Sequence, residues 1–266
     1  MTSKDVHGTP KVWDEIFNGN DVVYSDNPKT QNQLFEHAKI SFLKEIFPNK
    51  NNATMLEVGC GSAFVSLFFA KNGYDVTCLD VNESIINIAK DNFKKENAKG
   101  KFVVGTAEKL PFKDNSFDVV SSFGLMEHFE NPSIVFDEMV RVLRPNGMFF
   151  ADIVPNRFSV QSLGNIFNFL VTFPFSPKKA VRNFRPLYFE SSLSCIAYKK
   201  LIQKAGIKNL QVRGNRPFPR LTLPRFLDKL YAGLIKPTLP LWKKFDRWDN
   251  WLPRFWGAGL WYWGTK

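Results

Sequence analysis

The stretch Met55-Leu56-Glu57-Val58-Gly59-Cys60-Gly61-Ser62 decides how this chain reads. Met55 to Val58 is a short, mostly apolar run that ends in turn residues, which predicts a strand rather than a helix. Glycines at a strand's carboxyl end let the backbone pass close to a ligand. In an open α/β sheet that edge is where ligands bind. A dinucleotide fingerprint would need a third glycine where Phe64 stands. Glu57 beside the turn would also repel a phosphate and suits a ligand carrying positive charge. Asp80 closes the next apolar run, nineteen residues after Gly61, where a carboxylate can accept hydrogen bonds from a ribose diol.

Outward from this turn the rhythm alternates. Ala63 to Asn72 reads as a buried helix, Tyr74 to Leu79 as a strand, Ser84 to Lys95 as a helix, and Lys101 to Val104 and Phe117 to Ser122 as strands. Pro132 to Leu143 reads as a helix ended by Pro145-Asn146-Gly147, and Met148 to Ile153 as a fifth strand. Such alternation predicts an α/β fold with a parallel, doubly wound sheet and right-handed crossovers. After Pro155 come a Phe-rich segment, Val160 to Phe175, and a basic stretch, Lys178 to Arg185. A helix (Leu193 to Ala205), a strand (Ile207 to Val212) and a last strand (Gly259 to Gly264) are predicted beyond them. Upstream, Trp13, Ile16 and Phe17 share one helical face, and Leu34, Phe35, Ala38, Phe42, Leu43 and Ile46 another. The organisation expected is a helical cover over 1–52, a ligand-binding core over 53–156, a Phe-rich basic insertion over 157–192, and completion of the sheet over 193–266 around an amphipathic insertion at about 214–256.

Leu56 to Gly61 resembles motif I of the class I S-adenosylmethionine-dependent methyltransferases. Val103-Val104-Gly105-Thr106-Ala107-Glu108-Lys109-Leu110-Pro111-Phe112 with Asn115 to Val120 resembles their adenine loop and fourth strand. Leu143-Arg144-Pro145-Asn146-Gly147-Met148 resembles the turn into their fifth strand. The likeness spans 53–153 and is nearest to the subgroup that contains ubiquinone and menaquinone biosynthesis methyltransferases. It implies a seven-stranded Rossmann-like sheet and S-adenosyl-L-methionine as cofactor. By this resemblance the turn of Glu57, Gly59, Cys60 and Gly61 holds the methionine moiety and Asp80 the ribose, while Val81 packs on the adenine. Thr106, Ala107 and Glu108 border the adenine, and Ser122 and Phe123 line the methyl-donor pocket. Ala63 stands where many relatives have a third glycine, and Thr106 where an Asp often contacts the adenine amine.

Methyl transfer mainly needs positioning and a dry pocket. Where the acceptor must lose a proton, His128 is the candidate base and Glu127 its neighbour; simple packing of His128 is the competing reading. Related metal-dependent O-methyltransferases also carry a Glu-His pair, but their further carboxylate would fall at Gly124, so no metal is expected. Tyr24 and His37, in the N-terminal cover, are weaker candidates. The three cysteines show no zinc or disulfide spacing. With no apolar leader at the start and no run of about 18 apolar residues, a cytoplasmic chain without a spanning helix is expected.

The net charge of +11 is unevenly spread. From Arg157 onward there are 20 basic and 4 acidic residues, an asymmetry that suggests an anionic contact. Leu223, Phe226, Leu227, Leu230, Leu234 and Ile235 share a helical face, with Arg225, Asp228 and Lys229 opposite. Leu241, Trp242, Phe245, Trp248 and Leu252 repeat the pattern, with Lys243, Lys244 and Arg247 outside. Such helices suit an anionic membrane interface. Capping of the sheet or a dimer contact competes with that reading, and RNA binding is disfavoured by the Leu and Phe content. The sequence thus points to methyl transfer onto a small-molecule or lipid-like acceptor by a chain peripheral to a membrane. An RNA or protein methyltransferase and a non-catalytic cofactor-binding interaction protein stand as alternatives.

Overall fold

The computed structural model describes residues 24–49, 51–184 and 190–266; the expected helical face of Trp13, Ile16 and Phe17 lies outside them, as does part of the basic stretch ending at Arg185. The chain runs α1 (Gln31–Ile46), β1 (Thr54–Val58), α2 (Phe64–Lys71), β2 (Asp75–Asp80), α3 (Glu83–Lys95), β3 (Lys101–Val104), β4 (Phe117–Phe123), α4 (Ser133–Val142) and β5 (Leu143–Ile153). It continues through α5 (Val160–Thr172), α6 (Pro177–Phe184), α7 (Cys195–Lys204), β6 (Lys208–Asn215), α8 (Arg225–Ile235), α9 (Leu239–Arg247), α10 (Trp251–Trp256) and β7 (Gly259–Thr265).

The strands form one sheet in the order β3-β2-β1-β4-β5-β7-β6. The first five are parallel, as the alternation predicts, and the sheet has the seven strands expected of a Rossmann-like fold. The parallel expectation fails at the end of the chain: β7 runs antiparallel to both β5 and β6. β7 follows the short α10 and enters between its neighbours from the opposite end. The reversal of strand order falls between β1 and β4, which places a crevice at their carboxyl ends. A second difference is β5, which begins at Leu143 rather than Met148. Leu143 pairs with Phe117 and the register then shifts, so Pro145-Asn146-Gly147 is an irregularity inside the strand pair and not a free turn.

Helices cover both faces. One buried cluster joins α4, α7 and the sheet through Phe136, Met139, Tyr198, Ile202 and Tyr262. The other joins α1, α2 and α3 to the opposite face through Phe42, Leu43, Phe64, Leu67, Ile86 and Trp261. Phe42 stacks on Trp261 with ring centroids 4.6 Å apart. Trp261 and Trp263 therefore belong to the core, not to a surface tail. α1 starts with a capping box in which the Thr30 hydroxyl and the Gln33 side chain satisfy each other's backbone N–H groups. Its second face meets α8 and α9 in a third cluster, where Leu34, Phe35, Ala38, Ala232 and Ile235 surround Trp242. The cover is thus held from two sides.

The tail departs from its expected pattern. The face running from Leu241 to Leu252 is not one helix: Trp248, Asp249 and Asn250 separate α9 from α10. Arg247 is not on an outer face, because its guanidinium bonds Glu45 and the carbonyl of Ser41 on α1. On α8, Ala232 and Ile235 turn inward beside Asp228, which accepts from Gln31, while Arg225, Lys229, Phe226, Leu230 and Leu234 lie exposed.

Candidate functional site

A cavity of about 810 Å³ opens at the carboxyl ends of β1, β2, β4 and β5. At its centre the β1 turn is built by backbone conformation: Gly59 and Gly61 have φ of +68° and +52°, which glycine adopts without steric cost. A Cβ at Gly59 would come within 2.8 Å of Leu125, which also lines the cavity. Ala63 takes φ +55°, so the position where many relatives carry glycine keeps the glycine conformation here.

Ala63 offers no side-chain cap to α2. Glu57 supplies one from β1: its Oε2 accepts from the Ser66 N–H at 3.1 Å and from the Ser66 hydroxyl at 2.5 Å. A helix start leaves such N–H groups without internal partners, and its positive end favours an anion. Glu57 therefore ties the turn to α2 as well as lining the cavity. Burial pushes its carboxyl up to about 7, against the pull of Ser66. At the end of β2, Asp80 accepts from the N–H of Gly61 through one oxygen and from that of Asn82 through the other, both at 3.1 Å. Burial raises its pKa against those bonds. Each oxygen keeps a further lone pair, which is what a diol requires.

Val81, more than half exposed, forms the rim next to Asp80, and Ala107 and Glu108 lie across from it. Thr106 lines the same rim, but its hydroxyl donates to Glu108 at 2.8 Å. Cys60 lines the turn as a free thiol. Phe123 lines the cavity too. Ser122 does not: adjacent residues on a strand point to opposite faces, so with Phe123 facing in, its hydroxyl is buried behind the wall without a partner.

Beyond Phe123 the wall becomes charged. Glu127 and His128 sit in a 3-10 turn after β4 and both line the cavity. Glu127 Oε1 accepts from the Val154 N–H at 3.2 Å, and Oε2 is buried with no partner. Burial pushes this carboxyl up to about 7. Asp152, at the end of β5, and Glu36 hold the buried Lys39 ammonium at 3.4 and 3.2 Å. Lys39 also lies 4.7 Å from the centre of the Phe123 ring. Burial pulls its pKa down, yet the carboxylates of Glu36 and Asp152 outweigh that and raise it. Gln161 and Asn165 of α5, Glu190 and Arg216 complete this end. Tyr24 and His37 lie off the cavity: Tyr24 donates to Asp26, and a ring nitrogen of His37 bonds the Ser25 carbonyl.

Sequence reasoning missed Lys39, Asp152 and Arg216. Asp152 had a signal, a lone carboxylate closing the apolar run Phe149-Phe150-Ala151. Lys39 and Arg216 had none, since they reach the site from elements far apart in the chain. Among the described residues no His, Cys, Asp and Glu cluster could hold a metal ion.

Residues 56–151 match the family described as methyltransferase domain. Over 101 residues the chain is 41% identical to a demethylmenaquinone methyltransferase of Leptospira interrogans, covering 36% of this chain and 40% of that protein. Over 132 residues it is 30% identical to a ubiquinone biosynthesis O-methyltransferase of Photobacterium profundum, covering 49% and 52%. The chain therefore spans about half, or less, of the length of these curated relatives. Among solved structures, a Haemonchus contortus phosphoethanolamine N-methyltransferase 2 in complex with S-adenosyl-L-methionine shares the fold, with TM-score 0.56 at 19% identity over 97% of this chain and 56% of that one.

Proposed function

We propose that this chain, which belongs to the class I S-adenosylmethionine-dependent methyltransferases and has S-adenosylmethionine as its cofactor, transfers a methyl group to a small-molecule acceptor bound beside Phe123, Glu127 and Arg216. The observation that carries this reading is one continuous cavity that joins the Gly59–Gly61 turn and Asp80 to a charged chamber past Phe123. The residues fit the cofactor. Asp80 would receive the ribose hydroxyls, the turn would pass against the methionine part, and Glu57 adds a negative wall suited to a cationic ligand. The cofactor supplies an already activated methyl group, so the protein's work is orientation and exclusion of water.

Glu127 is the better candidate base than His128. It is buried, has one oxygen without a partner, and its pKa of about 7 suits proton removal near neutral pH. An acceptor that must lose a proton from oxygen or nitrogen is therefore favoured, and the names of the curated relatives make a quinone precursor the first compound to assay. Binding of S-adenosylhomocysteine, measured by calorimetry, is expected for the native chain, with at least a hundredfold weakening in Asp80→Ala. Tight binding that survives this substitution would remove the reading.

We also propose that the chain is peripheral to an anionic membrane on the cytoplasmic side, where a lipid-like acceptor would be at hand. No described helix is long and apolar enough to cross a membrane. On α5, Leu163, Ile166, Phe167 and Leu170 recur at helical spacing and are exposed, as are Phe226, Leu230 and Leu234 on α8. Monomeric soluble proteins seldom expose large apolar patches, and the basic excess from Arg157 onward complements acidic lipid. Flotation with vesicles containing phosphatidylglycerol should carry the native chain and not Ile166→Asp/Leu170→Asp. Equal flotation of both would take the contact away from α5, and a native chain that does not float but forms a dimer that the substitutions dissociate would replace the membrane with a second copy.

A further inference from the structure

We infer that Arg216 is an anion-binding residue of the acceptor chamber, so that the acceptor carries a carboxylate or phosphate group. The inference rests on the methyl-transfer reading only in calling the bound anion part of the acceptor; the anion site itself stands on Arg216 and its surroundings.

Arg216 follows the end of β6 and lines the cavity. Its Nε donates to Asn215 Oδ1 at 3.1 Å, while Nη2 is buried with no partner. Arginine presents five donors and remains charged at any physiological pH. The side chain as a whole is half-buried, but a buried donor atom left without a partner is unfavourable. Among the described residues Arg216 forms no ion pair, in contrast to Lys39 across the chamber, which Glu36 and Asp152 neutralise. Glu36 and Asp152 are engaged with Lys39, and Glu127 and Asp246 feel the Arg216 charge without forming an ion pair with it, which leaves the buried Nη2 to receive an anionic group.

The surrounding backbone is shaped to hold this side chain. Arg216 has φ +58°, a conformation that residues other than Gly, Asn and Asp seldom take. Two bonds hold it there: its N–H donates to the buried carboxyl of Asp246 at 3.0 Å, and its carbonyl accepts from Ala258 at 3.1 Å. A Cβ at Gly259 would meet Nη2 at 2.9 Å and Asp152 Oδ1 at 3.0 Å, so a bare backbone there makes room for both charged groups. Glycine at position 216 would give the same turn without strain. The arginine is explained by what its guanidinium does in the chamber.

The test uses the full chain saturated with S-adenosylhomocysteine and titrated with inorganic phosphate or acetate, at ionic strength held constant with chloride. Saturable binding by calorimetry and a rise in melting temperature are expected for at least one anion. Arg216→Gln should weaken that binding tenfold or more, and Arg216→Lys should restore part of it. A phosphate preference points to a phosphorylated acceptor, an acetate preference to a carboxylic acid. No saturable binding of either anion to the native chain overturns the inference, and so does unchanged affinity in Arg216→Gln. A purely structural role would lower the melting temperature of Arg216→Gln and leave its anion affinity intact. Were S-adenosylhomocysteine itself not bound, the methyl-transfer reading would fall, and the same titration on the free chain would still decide the anion site.

Discussion

Replacing Asp246 by Asn should make the chain more stable relative to the native protein as pH rises, by about 3 kcal/mol between pH 6 and pH 9. Asp246 is 1% exposed, accepts the Arg216 N–H, and burial pushes its carboxyl from 3.8 up to about 8. A carboxyl raised in the folded state stabilises it below the unfolded pKa, and that contribution is lost as pH rises through the folded pKa. The loss runs at about 1.4 kcal/mol per pH unit. Two units remain between pH 6 and the folded value near 8, which gives the figure above. Asn keeps an oxygen for the Arg216 N–H and cannot ionise. Glu57 and Glu127 also titrate near 7, but they do so in both proteins and cancel in the comparison. Urea unfolding of native and D246N chains at pH 6, 7, 8 and 9 measures the difference directly. For a domain of this size it corresponds to a melting-point gap that widens by roughly 6–12 °C. A gap that stays constant with pH would mean that Asp246 is ionised throughout and that the account of its burial is wrong.

If Glu127 removes the acceptor's proton, kcat/KM should climb with pH to a plateau above about 7, and Glu127→Gln should flatten the profile and lower its plateau by a hundredfold or more; an unchanged profile would return the role to His128. Trp242→Ala should cost about 3–5 kcal/mol in urea unfolding because it empties the cluster that joins α1 to α8 and α9. Trp242→Phe should cost less than Trp242→Ala, because a ring remains in the cluster and the indole N–H has no partner to lose.

The cofactor half of this molecule was legible in the sequence because its chemistry is local. Glu57, Gly59 and Gly61 are neighbours on one strand and its turn, Asp80 is one βα unit away, and period and spacing alone locate them. Locality does not settle the end of β4: Ser122 and Phe123 point to opposite faces, and the sequence does not say which face of β4 looks up. The antiparallel β7 was less legible, because its direction depends on where a long helical insertion delivers the chain. Helical periodicity on α8 put Ile235 on one face with Phe226, Leu230 and Leu234, whereas the structure sends Ile235 into the Trp242 cluster and leaves the other three exposed.

The acceptor half was hidden because every part of it is assembled across distance. Lys39 arrives from a cover helix held between the sheet and Trp242, Asp152 from the end of β5, and Arg216 from a left-handed residue bonded to Asp246 thirty positions later. These long-range ties fall largely outside residues 56–151, where the family likeness lies. On the proposed reading, the shared segment holds the methyl donor and the segments outside it hold the acceptor. The names of relatives matched over that segment therefore speak to the donor end. On the proposed reading, the acceptor is met by the charged chamber walled by Lys39, Glu127 and Arg216, with its removable proton near Glu127 and its negative charge near Arg216.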